Sequence, residues 1–372
     1  MTGTGRIAWI DNLRVLMIIF VVMLHTAVTY SGLGSWYYVE NEKVDMISTL
    51  VLAFFQTFTQ AYFMSLLFMI SGYFTQKSLE RKSTGLFISG RLSRLGLPLL
   101  IYIFLIHPVC IKLAYPEIPI SDFYRNGIMK LKFFSWTGPL WFVEALLIFT
   151  LIYTFIQGTI LKKPLSISFK PNAFNTLILI ALITIIAFIT RLFFPLGTDV
   201  SNLQFGFFPG YIVMFAFGIF AYNHKIFDQF DDRAGKKWLA ISLAVGIPSW
   251  LLIIFFGGPL RGEMLISGGM NWPAFFYALW ESMFCVTFIL ALVGIFQQKF
   301  NKQNSLQRIL SDNAFGVFVF HAPVLIAISI LFKDLVLYPV VKFIFVSAIA
   351  IPATFTFSWL IRRLKIFRTI FS

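Results

Sequence analysis

Ten apolar runs constrain this chain more than any other feature: residues 13–30, 47–74, 95–113, 140–160, 174–194, 205–222, 238–256, 274–296, 314–332 and 340–361 are each long enough to cross a bilayer. Lipid offers the backbone no hydrogen-bond partners, so a continuous apolar run that spans it must satisfy its own N–H and C=O groups as a helix. The expected fold is therefore all-α: a polytopic integral membrane protein with about ten transmembrane helices, forming one domain over residues 1–372. Composition agrees, with 58% of positions hydrophobic and 12% charged, where a soluble domain carries about 25% charge. That excludes a water-soluble globule, and the 18% aromatic content excludes a disordered chain. The first run is similar to the apolar core of a signal peptide, but it is long, contains Arg14 and His25, and no small-x-small cleavage site follows it. It is expected to be retained as a helix. No internal repeat is evident.

The net charge of +14 would suggest nucleic acid in a soluble chain. Here it is explained by basic loops on one membrane face, and no nucleic-acid partner is expected. With the N-terminus inside, the inner segments hold about 20 Lys and Arg, including Lys77, Arg81, Lys82, Arg91, Arg94, Lys162, Lys163 and Lys170, against about 9 outside, Lys43, Arg191 and Lys342 among them. An even number of spans then places both termini in the cytoplasm, and the long loops 31–46 and 114–139 outside. The lipid partner is the plasma membrane. Cys110 and Cys285 lie in separate apolar runs, so neither a disulfide framework nor a metal site is readable.

Ionisable groups within spans cost a few kcal/mol, and each needs a partner, a cavity or a function. Arg14, His25, His107, Glu144, Glu281 and His321 are such groups. Arg14 and His25 are eleven residues apart, close to three helical turns, which puts both on one face about 16 Å apart along the axis. A groove with a cation near one end and an imidazole deep in the bilayer suits a long substrate with an anionic head and a reacting carbon near His25, where imidazole serves as a general base. Counting rises along the helices brings His107 and Glu281 to about the depth of His25 and leaves Glu144 nearer the outer mouth. Either His107 or Glu281 is expected beside His25.

The segment IDNLRVLMIIFVVMLHTA at residues 10–27 resembles the first helix of the membrane acyltransferase-3 family, which carries an Arg and a His with ten residues between them. Four more segments are similar in order: FMISGYF at 68–74, RLSRLGLP at 91–98, LWFVEALL at 140–147 with Val143 in a Leu place, and SDNAFGVFVFH at 311–321. The short N-terminus and RLGLP are also similar to the branch that succinylates periplasmic glucans. The resemblance implies about ten spans and transfer of an acetyl- or succinyl-type group from cytoplasmic acyl-CoA to a carbohydrate or other envelope acceptor at the outer face. Acyl-CoA is then a donor substrate, and no permanently bound cofactor or metal is implied. With no serine-esterase domain after residue 372, a single-domain member is expected.

Position by position, the resemblance gives Arg14 and His25 as the essential pair, with Glu281 grouped with them by depth, and Arg91 and Arg94 as donor-contacting residues. Ser71 and Gly72 match a helix-end element, though close helix packing explains them equally. Arg91 and Arg94 also suit plain cytoplasmic anchoring, and Trp141 suits an interfacial anchor. His321 has a family counterpart without an evident role. His25 either deprotonates the acceptor hydroxyl or carries the acyl group covalently. The rival functions are a proton-coupled transporter using Arg14, His25, Glu144 and Glu281, and a polysaccharide export partner without chemistry of its own.

Overall fold

The computed structural model describes residues 6–40, 44–159, 172–230 and 232–371. Glu42, Lys43, Lys162, Lys163 and Lys170, and the end of the fourth run at Ile160, lie outside the described residues. The described chain is helical, with one isolated bridge between Val200 and Leu203 as its sole strand-like pairing. In order the helices are α1 (Ala8–Ser31), α2 (Met46–Leu79), α3 (Thr84–Ala114), α4 (Ile120–Met129), α5 (Trp141–Thr159), α6 (Ala173–Phe193), α7 (Phe208–Asn223), α8 (Asp232–Phe256), α9 (Trp272–Lys299), α10 (Ser305–Leu331), α11 (Pro339–Ile361) and α12 (Lys365–Ile370). By length and composition, ten helices among the described residues can cross a membrane, one for each apolar run. Several begin or end beyond their runs, α3 at Thr84 for example, because a hydrogen-bond ladder continues through charged flanks that interrupt hydropathy.

α3 is interrupted by two π-helical segments, Leu92–Gly96 and Tyr102–Ile106. Each lies just ahead of a proline, Pro98 and Pro108. Proline supplies no N–H and its ring crowds the carbonyl four residues back, and a locally widened ladder relieves both.

The chain forms two compact units, each discontinuous in sequence. Unit 1 comprises Met1–Leu13, Gln60–Phe87 and Ile148–Lys302. In it Asn12 donates to the carbonyls of Phe300 (2.8 Å) and Lys302 (3.0 Å), and Trp280 donates to Gly246 at 2.9 Å. α2 and α7 approach so closely that a Cβ on Gly72 would run into the Phe215 carbonyl, and one on Gly218 into that of Met69. Small residues at such crossings let backbones meet where lipid supplies no hydrophobic drive.

Unit 2 comprises Arg14–Thr59, Ile88–Leu147 and Gln303–Ser372. α10 starts with a reciprocal cap, Gln307 N–H to Asn304 Oδ1 at 2.8 Å and Asn304 N–H to Gln307 Oε1 at 2.9 Å. It is tied to α11 by Ser358 Oγ donating to the Asn313 carbonyl at 3.2 Å and by Arg362 donating to that of Asp312. The loop after α1 is anchored at its far side, where Glu40 N–H donates to the Thr29 carbonyl (2.9 Å) and the Glu40 carboxylate pairs with Lys342 of α11 at 2.5 Å.

Candidate active site

α1 carries Arg14 and His25 on one continuous helix, both half-buried and both in unit 2. The His25 ring is roofed by the Trp36 indole, with centroids 3.8 Å apart and planes at 19°, and His321 of α10 lies beside it at 5.2 Å and 20°. Nδ1 of His25 is buried and has no hydrogen-bond partner among the described residues. His321 is fully buried. Its Nδ1 lies 2.8 Å from the Phe318 carbonyl, which can only accept, so the proton sits on Nδ1 and Nε2 keeps a lone pair. That Nε2 is also buried without a partner. Two adjacent imidazoles thus each hold a ring nitrogen in reserve, a composition suited to taking up and handing on a proton.

Tyr37, the residue after Trp36, joins a second histidine to the cluster. Its hydroxyl lies 2.6 Å from His107 Nδ1 and 3.1 Å from the Tyr102 hydroxyl. Burial, reinforced by nearby Cys110 and opposed by the bond to Tyr102, raises the Tyr37 phenol well above its ordinary range. It therefore keeps its proton and can give it to His107 while accepting from Tyr102. The His107 ring lies nearly parallel to Trp136 at 5.7 Å, and Trp136 stacks on Phe123 at 4.2 Å. Gly138 completes the wall: it has φ +49°, and a Cβ there would meet the Tyr37 hydroxyl and lie 2.9 Å from Tyr102. Only glycine meets both demands.

Of the residues singled out from sequence, the structure gathers His25, His107 and His321 around Trp36 and Tyr37. Glu144 stands in the first turn of α5, in contact with the Thr137 hydroxyl, with Oε2 buried and unpartnered among the described residues. Trp141 opens the same helix, half-buried. Arg91 ends the first α-helical stretch of α3, half-buried, and Arg94 is exposed within the first π segment. Ser71 and Gly72 belong to unit 1, where Gly72 sits at the α2–α7 crossing. Glu281 also belongs to unit 1, where it pairs with Arg191. Within unit 2 the ring stacked on His25 is that of Trp36, with His321 alongside, and His107 joins through Tyr37. Among the described residues no three His, Cys, Asp or Glu side chains converge to hold a metal ion.

Tyr102 was passed over in the sequence, Arg191 was counted only among the outer-face cations, and the first outer loop with Trp36 and Tyr37 suits a sugar contact or an interfacial anchor equally well. Arg191 left a usable signal, a cation three residues before the end of the apolar run 174–194. A family model described as an acyltransferase domain matches residues 7–363. No curated protein and no solved structure matches the chain.

Proposed function

We propose, from the premise that the chain belongs to the membrane acyltransferase-3 family, that this acyltransferase moves an acetyl- or succinyl-type group from cytoplasmic acyl-CoA to a hydroxyl of a carbohydrate or other envelope acceptor at the outer face. Membership makes the protein an enzyme rather than a transporter or a passive export partner. The observation that carries the mechanistic reading is the buried, unpartnered Nδ1 of His25, whose ring stacks on Trp36 and has His321 alongside. An imidazole nitrogen without a protein partner is available to a substrate.

In the proposed reaction His25 accepts the acceptor hydroxyl proton as the oxygen forms a bond to the thioester carbonyl carbon. The tetrahedral intermediate then collapses, the C–S bond breaks, and the departing thiolate takes the proton from the imidazolium. The products are the O-acyl ester and free CoA thiol. Trp36 holds the ring in one plane. Arg14, Arg91 and Arg94 suit the donor phosphates, since guanidinium presents paired donors and stays charged at any working pH.

The test uses purified full-length protein in lipid with radiolabelled acyl-CoA, following thiol release and acylated acceptor together. Both should appear in equal amounts, and His25→Ala should lower the rate by about 10²-fold or more while the protein still folds. A variant that keeps more than about a tenth of the rate removes His25 as the base.

A further inference from the structure

The segment joining α3 to α5 carries α4 and the turn after it, and its two sides differ. One side is fixed: Tyr124 donates to the Phe104 carbonyl of α3, a Cβ on Gly127 would run into the Trp136 ring, and Trp136 stacks on Phe123 at 4.2 Å with His107 of α3 behind it at 5.7 Å. The other side faces outward. Ile128, Met129, Leu131 and Phe134 are 52–78% exposed, and exposed Lys130 and Lys132 alternate with them. Leu131 has φ +52°, a left-handed backbone that glycine or asparagine adopts at lower cost. A turn facing water alone would be better served by either, so the leucine points to an apolar contact on its exposed side.

The two lysines need an account as well. Basic residues are normally scarce on the outer face, and most of those that the basic asymmetry assigns there have a partner: Arg191 pairs with Glu281, Lys342 with Glu40, Arg125 with Asp122 and Arg261 with Glu263, while Lys112 donates to the Pro116 and Ile118 carbonyls. Lys130 and Lys132 have no ion pair or side-chain hydrogen bond among the described residues, and neither has Lys333, which stands in a different loop. Two ammonium groups set among four apolar side chains match a partner that is anionic and apolar at once. Phospholipid is both, with phosphate at the boundary and glycerol and acyl groups just below it. The segment joins two spans, so it stands at a boundary of lipid and water. Long lysine stems let the ammonium groups reach the headgroups while their neighbours sink.

We propose that the face formed by residues 128–134 is a docking surface for anionic phospholipid, with Lys130 and Lys132 on the phosphates of a lipid such as phosphatidylglycerol and the four apolar side chains in its glycerol and upper acyl region. The proposal does not rest on the acyl-transfer reading. Every span touches lipid, but this segment selects its lipid by charge. A zwitterionic headgroup offers the same phosphate with a choline that cancels its field, so net charge separates the two. The bound lipid braces the segment that backs His107 through Trp136.

Ser135 is exposed beside the surface, and Cys110 and Cys285 are buried, so full-length Ser135→Cys protein can be labelled at that position with a nitrobenzoxadiazole fluorophore. The labelled protein is placed in phosphatidylcholine nanodiscs containing an equal small fraction of either phosphatidylglycerol or phosphatidylcholine that carries a nitroxide near the top of one acyl chain. Quenching should give phosphatidylglycerol a relative association constant about 25-fold that of phosphatidylcholine, since each lysine near an anionic surface contributes roughly fivefold. Lys130→Gln combined with Lys132→Gln should bring the two lipids close to parity. Lys130→Arg combined with Lys132→Arg should keep the preference, because charge sets it. Both pairs replace exposed side chains, where substitutions barely alter stability. Equal quenching by the two lipids in the parent, or a preference that survives the glutamine pair, overturns the proposal. Quenching by neither lipid puts the face in water and overturns it too, leaving the lysines to a soluble polyanion.

Discussion

Lys342→Met tests how far a buried ion pair holds the loop that carries Trp36 and Tyr37. Lys342 is 3% exposed and the Glu40 side chain 12%, their charged atoms are 2.5 Å apart, and the ammonium also donates to the Lys333 carbonyl at 3.2 Å. Removing the cation deprives a largely buried carboxylate of its ammonium partner, a change that costs about 3–5 kcal/mol. The loop retains its Glu40 N–H bond to Thr29, but the ion-pair loss alone shifts its attachment by more than about a hundredfold. Unfolding is followed by tryptophan fluorescence as dodecyl sulfate is raised in mixed micelles, and steady-state rates are measured against acceptor and donor separately. The single variant should unfold earlier by the stated amount and lower acceptor KM and kcat together, with donor KM unchanged. Combining it with Glu40→Leu should restore most of the stability, since a buried pair replaced by apolar residues is close to neutral. A single variant within about 1 kcal/mol of the parent, or a double variant as damaged as the single, refutes the reasoning.

Arg91→Lys or Arg94→Lys should raise the apparent donor KM and leave the acceptor KM nearly unchanged, because a point charge does not replace a planar fork. Unaltered donor KM at normal turnover would reduce the pair to anchoring. A C-terminal reporter that fluoresces only in the cytoplasm should be bright, as the basic asymmetry leads one to expect, and a dark reporter on well-expressed protein would move the donor side to the wrong face. Gly138→Ala should destabilise by about 1–3 kcal/mol from its left-handed backbone alone, with the displaced Tyr37 hydroxyl adding to it. An unchanged unfolding midpoint would mean that the wall around Tyr37 is looser than its geometry.

The helices were legible because lipid imposes one requirement everywhere: each apolar run must close its own hydrogen bonds. Their ends were less so, since α1 starts at Ala8 and α3 at Thr84 through residues that hydropathy counts as loop. The π segments of α3 had a trace in Pro98 and Pro108, but a proline in a helix announces a disturbance without saying whether it becomes a kink or a wider turn. His25, His107 and His321 stood out as imidazoles where lipid disfavours them. What joins them did not, because Trp36 and Tyr37 have the composition of any membrane-interface loop, and their roles come from tertiary contacts. Arg191 was counted only among the outer-face cations by its place near a helix end. Burial against Glu281 gives it a different meaning, and burial is not a property of the local sequence.

The Trp36–Tyr37 pair couples two histidines that the chain separates widely. Neighbouring residues of a non-helical segment can face different ways, and here Trp36 lies on His25 while Tyr37 reaches His107. A movement that lifts the indole from His25 therefore also disturbs the hydroxyl between His107 and Tyr102, unless the backbone turns between the two residues. Access to His25 and the order of the His107 side are thus linked through one peptide bond. Glu40, three residues past Tyr37, fixes that segment to α11 through Lys342 and to α1 through Thr29. An acceptor that reaches His25 by displacing Trp36 must work against both attachments, and its binding energy is then used to open the segment rather than to lower KM. On the proposed reading, weak apparent acceptor affinity with preserved turnover is expected of this arrangement, and loosening the segment should lower acceptor KM and kcat together.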